Sequence, residues 1–250
     1  MAPLRRGFAV AAAGALLAGC SIQFAASDEY EDSFAPAGAT RVVVEGVDGD
    51  VVLRGMAVQD VQMRGTRRAV GATRKAARRL LERAELGASY DGGDLVLSFD
   101  PPLEYDGLVD LTLDRASTLP SAMGVAIDLD SGDVEISALA GPMDVRTSDG
   151  DVDIEDVGPA EIHAAADEGS IRYALTSTDF RVECRVGGGG TVIADASLQA
   201  LIDGGAVQRA ETGDGVVVFT SGAGAKSVTL EASAGDVAVS PLSRSPKMWQ

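Results

Sequence analysis

The sequence predicts an all-β domain, a stacked-repeat β-solenoid (β-helix-like), with one amphipathic helix near its N-terminal end. Three observations carry this expectation. Segments of alternating apolar and polar residues recur behind Gly-containing turns, best in SGDVEISALAGPMDVRT (131–147), DGDVDIEDVGPAEIHAA (149–165) and EGSIRYAL (168–175). Their turn glycines, Gly132, Gly150 and Gly169, lie 18 and 19 residues apart, and Gly141-Pro142 returns 17 residues later as Gly158-Pro159. A period near 20 with strands this short marks repeats that must stack, because one copy cannot bury its own apolar face. Apolar residues make up 46% of the chain but aromatics only 4%, which suits a narrow core of Val, Ile and Leu between close sheets.

The N-terminal segment speaks about location. Arg5 and Arg6 precede an apolar run from Phe8 to Gly19. As a helix that run spans about 18 Å, short of the roughly 30 Å hydrocarbon core. Residues 1–19 therefore read as a secretory signal peptide and not as a membrane span. Leu17-Ala18-Gly19-Cys20 ends the run and resembles the lipobox of bacterial lipoproteins. That resemblance implies that Cys20 becomes the first mature residue and the lipid attachment, carrying diacylglyceryl on its sulfur. Several acyl chains supply stable anchoring where one does not. Ser21 follows the Cys in place of Asp, which under the sorting rule of enteric bacteria implies the outer membrane. Residues 20–40 carry Asp28, Glu29, Glu31 and Asp32 with no sustained apolar period, and read as an acidic flexible tether.

Residues 41–240 are the expected solenoid, and 241–250 a C-terminal tail. Looser repeat copies are VDGDVVLRG (47–55), YDGGDLVLSF (90–99), GTVIADA (190–196), GDGVVVF (213–219) and AGDVAV (234–239). Alternation assigns the inward side chains. Val134, Val152 and Ile171 form one column, and Ile136, Ile154 and Tyr173 the next. In the second strand of each rung Val145, Ile162 and Val182 are expected to line up. Asp144, Arg146, Glu161, His163, Arg181 and Glu183 then face water. Residues 71–86 (GATRKAARRLLERAEL) break the pattern. Ala76, Ala77, Leu80, Leu81 and Ala84 fall on one helical stripe beside Lys75, Arg79 and Arg83, with Glu82 able to pair with Arg78. One amphipathic helix packed against the early strands is predicted there.

Taken together, the Gly49-Asp50 turn, the basic ARRLLERAEL helix, the stretch LVDLTLDRASTLPSAMGVAIDLDSGDVEI and the Gly-Asp-Val repeats resemble a bacterial family of uncharacterised β-strand-repeat proteins. This is the DUF4097 type, which carries the description adhesin by inference. The resemblance covers roughly residues 41–240 and implies a β-solenoid or β-helix-like stack. It brings no accepted catalytic residues, and some relatives are associated with envelope stress. Gly187–Gly190, four glycines in a row, departs from the regular repeat and is expected to form a loop or bulge.

Composition narrows the chemistry. The chain has 21 basic and 38 acidic residues, a net charge of −17, which falls by two more once Arg5 and Arg6 leave with the signal peptide. Neutralising phosphates takes clustered Lys and Arg, so nucleic acid is not an expected partner. One His and two Cys leave no zinc ligand set. His163 is expected to be an ordinary exposed histidine, since neither the G-x-S-x-G elbow nor S-x-x-K is present. Cys184 alternates with Phe180 and Val182 and is expected to be a buried small apolar group. Arg64, Arg67, Arg68, Arg74, Lys75, Arg78, Arg79 and Arg83, opposed by Glu82, form a basic cluster. It can attract anionic headgroups or wall polymers, or be a solvated face balanced by the acidic solenoid; the second is preferred.

Asp128, Asp130, Asp133, Asp149, Asp151 and Asp153 do not fit an EF-hand loop, whose sixth position needs Gly: counted from Asp128 and Asp149, the sixth residues are Asp133 and Ile154. No catalytic residue, cofactor or metal site is expected. The leading expectation is a non-enzymatic, lipid-anchored cell-envelope module. It would meet the membrane through its anchor, with an envelope protein or polysaccharide as possible partner. The alternatives are a carbohydrate-active β-helix enzyme, which needs converging carboxylates, or a carboxylate with Arg or Lys, in a groove, and an envelope-stress sensor or regulator.

Overall fold

The computed structural model describes residues 24–45, 49–83, 85–100, 111–155, 158, 161–212 and 215–241. The segment expected to be a signal peptide, Cys20 and the segment after Pro241 expected to be a tail lie outside these residues. In chain order the elements are β1 (Phe24–Phe34), β2 (Arg41–Glu45), β3 (Val51–Met56), β4 (Val61–Gly71), α1 (Arg74–Arg83), β5 (Glu85–Asp91), β6 (Asp94–Asp100) and β7 (Leu111–Pro120). Then come β8 (Gly124–Ser131), β9 (Val134–Ser137), β10 (Met143–Asp149), β11 (Val152–Glu155), β12 (Ile162–Glu168), β13 (Ile171–Leu175) and β14 (Phe180–Val186). The last are β15 (Val192–Ala194), α2 (Ala196–Asp203), β16 (Gln208–Thr212), β17 (Val216–Ser221), β18 (Lys226–Ala232) and β19 (Val237–Pro241).

These strands build the two sheets of a flattened all-β solenoid. The first sheet runs β1-β4-β7-β3-β9-β11-β13-β19-β15, and the second β16-β17-β14-β18-β12-β10-β8-β2-β6-β5. A rung is one strand of the second sheet, a corner, and one strand of the first. Along the stack the rungs read β6/β7, β2/β3, β8/β9, β10/β11, β12/β13, β18/β19 and β14/β15. The middle follows chain order and both ends do not. The chain's first rung is covered by its second, and its last rung lies inside its last but one. Neighbouring rungs pair in parallel, whereas β5, β4 and β1 at one end and β17 and β16 at the other add antiparallel strands.

The inward columns follow the alternation. Val134, Val152 and Ile171 are in register, as are Ile136, Ile154 and Tyr173, and all six are 0–1% exposed. The second-strand column is corrected by two residues. Val145 pairs with Ala164, Ile162 pairs with Met143 and Val228, and Val182 meets Val228. The 17-residue return of Gly-Pro misleads because the two glycines are not equivalent. Gly141 stacks on the Met123–Gly124 peptide, whereas Gly158 stacks on Ala140. All of these aliphatic positions are buried nonetheless, since a two-residue slip keeps the same face inward.

Three further expectations change. Residues 24–34 are not tether but β1, paired along its length with β4. Two of its four acids face arginines: Asp28 lies opposite Arg67 and accepts from Nε and Nη2 at 2.9 and 2.6 Å, and Glu31 lies opposite Arg64. Phe24, Ala26, Tyr30 and Phe34 alternate on its half-buried side. The segment GDGVVVF holds an antiparallel strand of the end cap, β17, and is not a rung. The predicted helix is shorter, Arg74–Arg83, because Gly71 ends β4 and Leu86 enters β5. Thr73 Oγ1 caps it by accepting from Ala76 N at 3.1 Å. Ala77, Leu80 and Leu81 bury the expected stripe against Ala69 and Ala26. Among the described residues no ion pair joins Glu82 to Arg78. The short helix α2, capped by Asp195 Oδ1 on Leu198 N at 2.7 Å, was not foreseen.

Candidate functional site

The repeated Gly-Asp turn stacks into a column through six rungs: Gly49, Gly132, Gly150, Gly169, Gly235 and Gly190. Each later glycine sits on the carbonyl of the one before, so close that a Cβ on Gly150 would lie 2.1 Å from Gly132 O. Gly190, expected as part of a loop or bulge, is the last of this column. The residue after each glycine forms a second column. Asp50 Oδ1 accepts from Asp133 N, Asp133 Oδ1 from Asp151 N, and Asp151 Oδ1 from Ser170 N, at 3.0, 2.8 and 2.8 Å. Beyond Ser170, Asp236 Oδ1 accepts from the backbone and hydroxyl of Thr191 at 2.8 and 2.9 Å. These bonds hold the Asp236 carboxyl below its ordinary value. The carboxylates of this edge thus hold the backbone of the next rung. That answers the like-charge problem of stacking Asp133 beside Asp151, with Arg172 as a further partner 3.5 Å from Asp151. Glu135, Asp153 and Arg172 are in register, as the repeat implied. Among the described residues no cluster of three or more His, Cys, Asp or Glu is placed to hold a metal.

The outer face of the second sheet carries the charged residues predicted to face water. Arg146 lies 3.6 Å from Asp144, whose Oδ1 is 3.1 Å from His163 Nδ1. His163 Nε2 is 3.9 Å from Glu231, which accepts from Arg185 at 2.7 Å; Glu183 accepts from both Arg185 and Arg181. The two arginines, Arg185 foremost, hold Glu183 below its ordinary pKa. His163 is therefore set between carboxylates. Thr229 is its neighbour across the strands, and among the described residues no hydrogen bond joins them.

Beside this chain lies a shallow groove of about 410 Å³ across β10, β8, β2 and β6. Ala126, Val43 and Val96 are aligned across three strands as its half-buried floor. One rim is Arg41, Asp94 and Asp91, and the other Arg146, Asp128 and Glu45, with Asp144 at the end. Arg41 donates Nε and Nη2 to the Asp94 carboxylate and holds it below its ordinary pKa. The groove can hold a ligand between apolar floor and charged rims. Sequence reasoning missed it because its floor comes from three distant strands, with outward-facing Val as the one available signal.

The remaining candidates divide clearly. Cys184 is fully buried, and burial pushes its thiol up to about 12, so it is an inert apolar filler. Lys226, at 1% exposure, is a buried cation that the sequence did not single out. Its Nζ donates to Gly158 O and lies 5.6 Å from the Tyr173 ring, and burial lowers it to about 8. The basic cluster is split. Arg64, Arg67 and Arg68 belong to β4, where Arg67 is committed to Asp28. Arg74, Lys75, Arg78, Arg79 and Arg83 are exposed on α1, and among the described residues none has an ion-pair partner.

The family model described as Toastrack DUF4097 matches residues 110–240, more than half of the chain. The chain belongs to the Toastrack DUF4097 family. The match covers less than the 41–240 span the resemblance suggested, while the rungs of this Toastrack protein extend back to Arg41. Its fold is similar to that of a putative cell adhesion protein from Clostridium sporogenes. That likeness has 14% identity and a TM-score of 0.54 over 87% of this chain and all of the other. A putative adhesin from Bacteroides fragilis is similar at 10% identity and a TM-score of 0.40, over 86% and 97% of the two chains. At 14% identity the likeness to the Clostridium sporogenes protein speaks for the fold alone. No curated protein matches the chain. No described helix is long and apolar enough to cross a membrane.

Proposed function

We propose that this Toastrack protein is a non-enzymatic interaction module of the bacterial cell envelope, anchored by acyl chains on Cys20 and presenting its solenoid surface to an envelope protein or polysaccharide. The observation that carries the reading is the position of Cys20, four residues before Phe24. β1 starts at Phe24 and is zipped to β4 over eleven residues, so load on the anchor passes straight into a sheet. Several groups that could perform chemistry are held within the fold, which supports a binding role, while Asp91, Asp128 and Glu45 stand on the groove rims beside Arg41 and Arg146. Asp133, Asp151 and Asp236 hold backbone amides, His163 lies between carboxylates, and Cys184 is sealed in the core. The groove floored by Val43, Val96 and Ala126 is the contact surface of this reading.

Fractionation and mass spectrometry test the anchor: diacylglyceryl on an N-terminal Cys20 is expected, with release of Cys20→Ala from membranes. Crosslinking in cells tests the contact, with adducts of wild type expected to disappear in Val43→Glu/Ala126→Glu. Release of reducing ends from an envelope polysaccharide by the purified protein would replace this reading with a carbohydrate-active enzyme.

A further inference from the structure

The uncommitted cations of α1 sit where an anchor would put them to use. Phe24 is paired with Gly71, and Gly71 packs directly against Ala76 and Ala77 in the first turns of α1. Cys20 lies four residues from Phe24, and four residues span at most about 14 Å when fully extended. An acyl chain on Cys20 therefore holds α1 within reach of the lipid headgroups. The helix buries Ala77, Leu80 and Leu81 against the domain and turns Arg74, Lys75, Arg78, Arg79 and Arg83 outward, with Glu82 as the opposing charge. Arg68, exposed on β4, adds to the same end of the sheet. The chain as a whole has a net charge of −17, so an anionic surface repels most of the domain and attracts this end.

We infer that α1 is a membrane-docking element whose five-cation face rests on anionic lipid headgroups beside the Cys20 anchor. The inference rests on the anchor reading above. It adds an orientation that a tether alone does not supply. The β1/β5 end of the stack lies against the bilayer, and β16, nine strand spacings away in the second sheet, stands roughly 40 Å off. Juxtamembrane Lys and Arg clusters act on anionic lipid in this manner, and salt weakens the attraction by screening.

The test uses the full chain, processed and lipidated in a bacterial host and reconstituted into phosphatidylcholine vesicles with or without phosphatidylglycerol. A fluorophore is placed at Ala72→Cys, exposed just before α1, or at Ala210→Cys, exposed on β16. The buried Cys184 does not compete for label. Quenching by spin-labelled lipid is read at both positions. The expected result is quenching at position 72 that rises severalfold with phosphatidylglycerol. It should return to the phosphatidylcholine level in about 1 M salt, where the Debye length is about 3 Å, and in Arg78→Glu/Arg79→Glu/Arg83→Glu. Position 210 should stay unquenched. Quenching at position 72 that ignores lipid charge, salt and charge reversal overturns the docking face while leaving the anchor standing. The lipid and salt arms need no charge-reversed variant, so misfolding of that variant cannot decide the outcome. An N-terminal peptide without diacylglyceryl, on protein that does not stay with the vesicles, overturns the anchor and the docking together.

Discussion

Replacing Gly150 by Ala tests the glycine column most sharply. The backbone there has φ +149°, and an added Cβ would fall 2.1 Å from Gly132 O and 2.6 Å from Gly132 C. The obstacle is backbone held by rungs on both sides, so it cannot swing away as a side-chain tip would. A residue forced into such a conformation costs about 1–3 kcal/mol, and overpacking a fixed neighbour about 1–3 kcal/mol more. A loss of about 4 kcal/mol is expected, which in a domain of this size lowers the melting temperature by roughly 8–16 °C. Two other glycines separate the causes. Gly189, at φ +89°, has open space where its Cβ would go, so Gly189→Ala should cost about 1–2 kcal/mol in conformation alone. Gly235 lies outside the left-handed region, yet its Cβ would meet Gly169 O at 1.9 Å, so Gly235→Ala reports the clash. Urea unfolding followed by circular dichroism, in a Cys20→Ala background, ranks the three. Were Gly150→Ala to cost no more than Gly189→Ala, the rungs would have room to part, and the close stacking argued above would be refuted.

Three further expectations follow from the same geometry. Ile154→Ala, at a position 0% exposed, should lose about 2–5 kcal/mol, while Asp153→Ala on the opposite face loses far less; equal losses in urea would refute the register. The lowered pKa of Asp236 means that its stabilising contribution is complete above its ordinary 3.8 and fades as pH falls through the lower folded value. Asp236→Asn should therefore flatten the decline of the urea midpoint on acidification, and an unchanged slope would assign that decline to other carboxylates. Cys184, buried and pushed up to about 12, should resist a thiol reagent at neutral pH until urea unfolds the protein; rapid labelling of the native chain would show that β14 opens.

The legible and illegible parts of this fold differ in kind. Ile154 in and Asp153 out could be read because a strand alternates strictly, and Gly132, Gly150 and Gly169 announced turns that tolerate no side chain. The aspartate column was half legible. Asp50, Asp133, Asp151 and Asp236 all follow a glycine, but their hydrogen bonds to the next rung appear only once the rungs are stacked. β1 was hidden because Asp28 and Glu31 look like solvated charge until Arg67 and Arg64 stand opposite them. The groove joins Val43, Val96 and Ala126 across three strands, and no local pattern links residues so far apart in the chain. Rung order was the least accessible feature. Val237 fits against Ile171 as well as any Val would, so alternation cannot say that β19 lies between β13 and β15.

That order bears on how such a chain is made and how it can vary. A solenoid whose rungs follow the chain can grow like a coil of rope, each turn laid on the last. Here β14/β15 precedes β18/β19 in the chain yet stands beyond it, so the last rung in sequence is an interior layer of the stack. Deleting the C-terminal segment would therefore tear out an interior layer and leave two unsatisfied strand edges facing each other. At the other end β6/β7 closes over β2/β3 in the same way. A lineage wanting a longer or shorter version has one place to change it: the run from β8 to β13, where sequence order and spatial order coincide and a whole turn can be duplicated or lost without disturbing either closure.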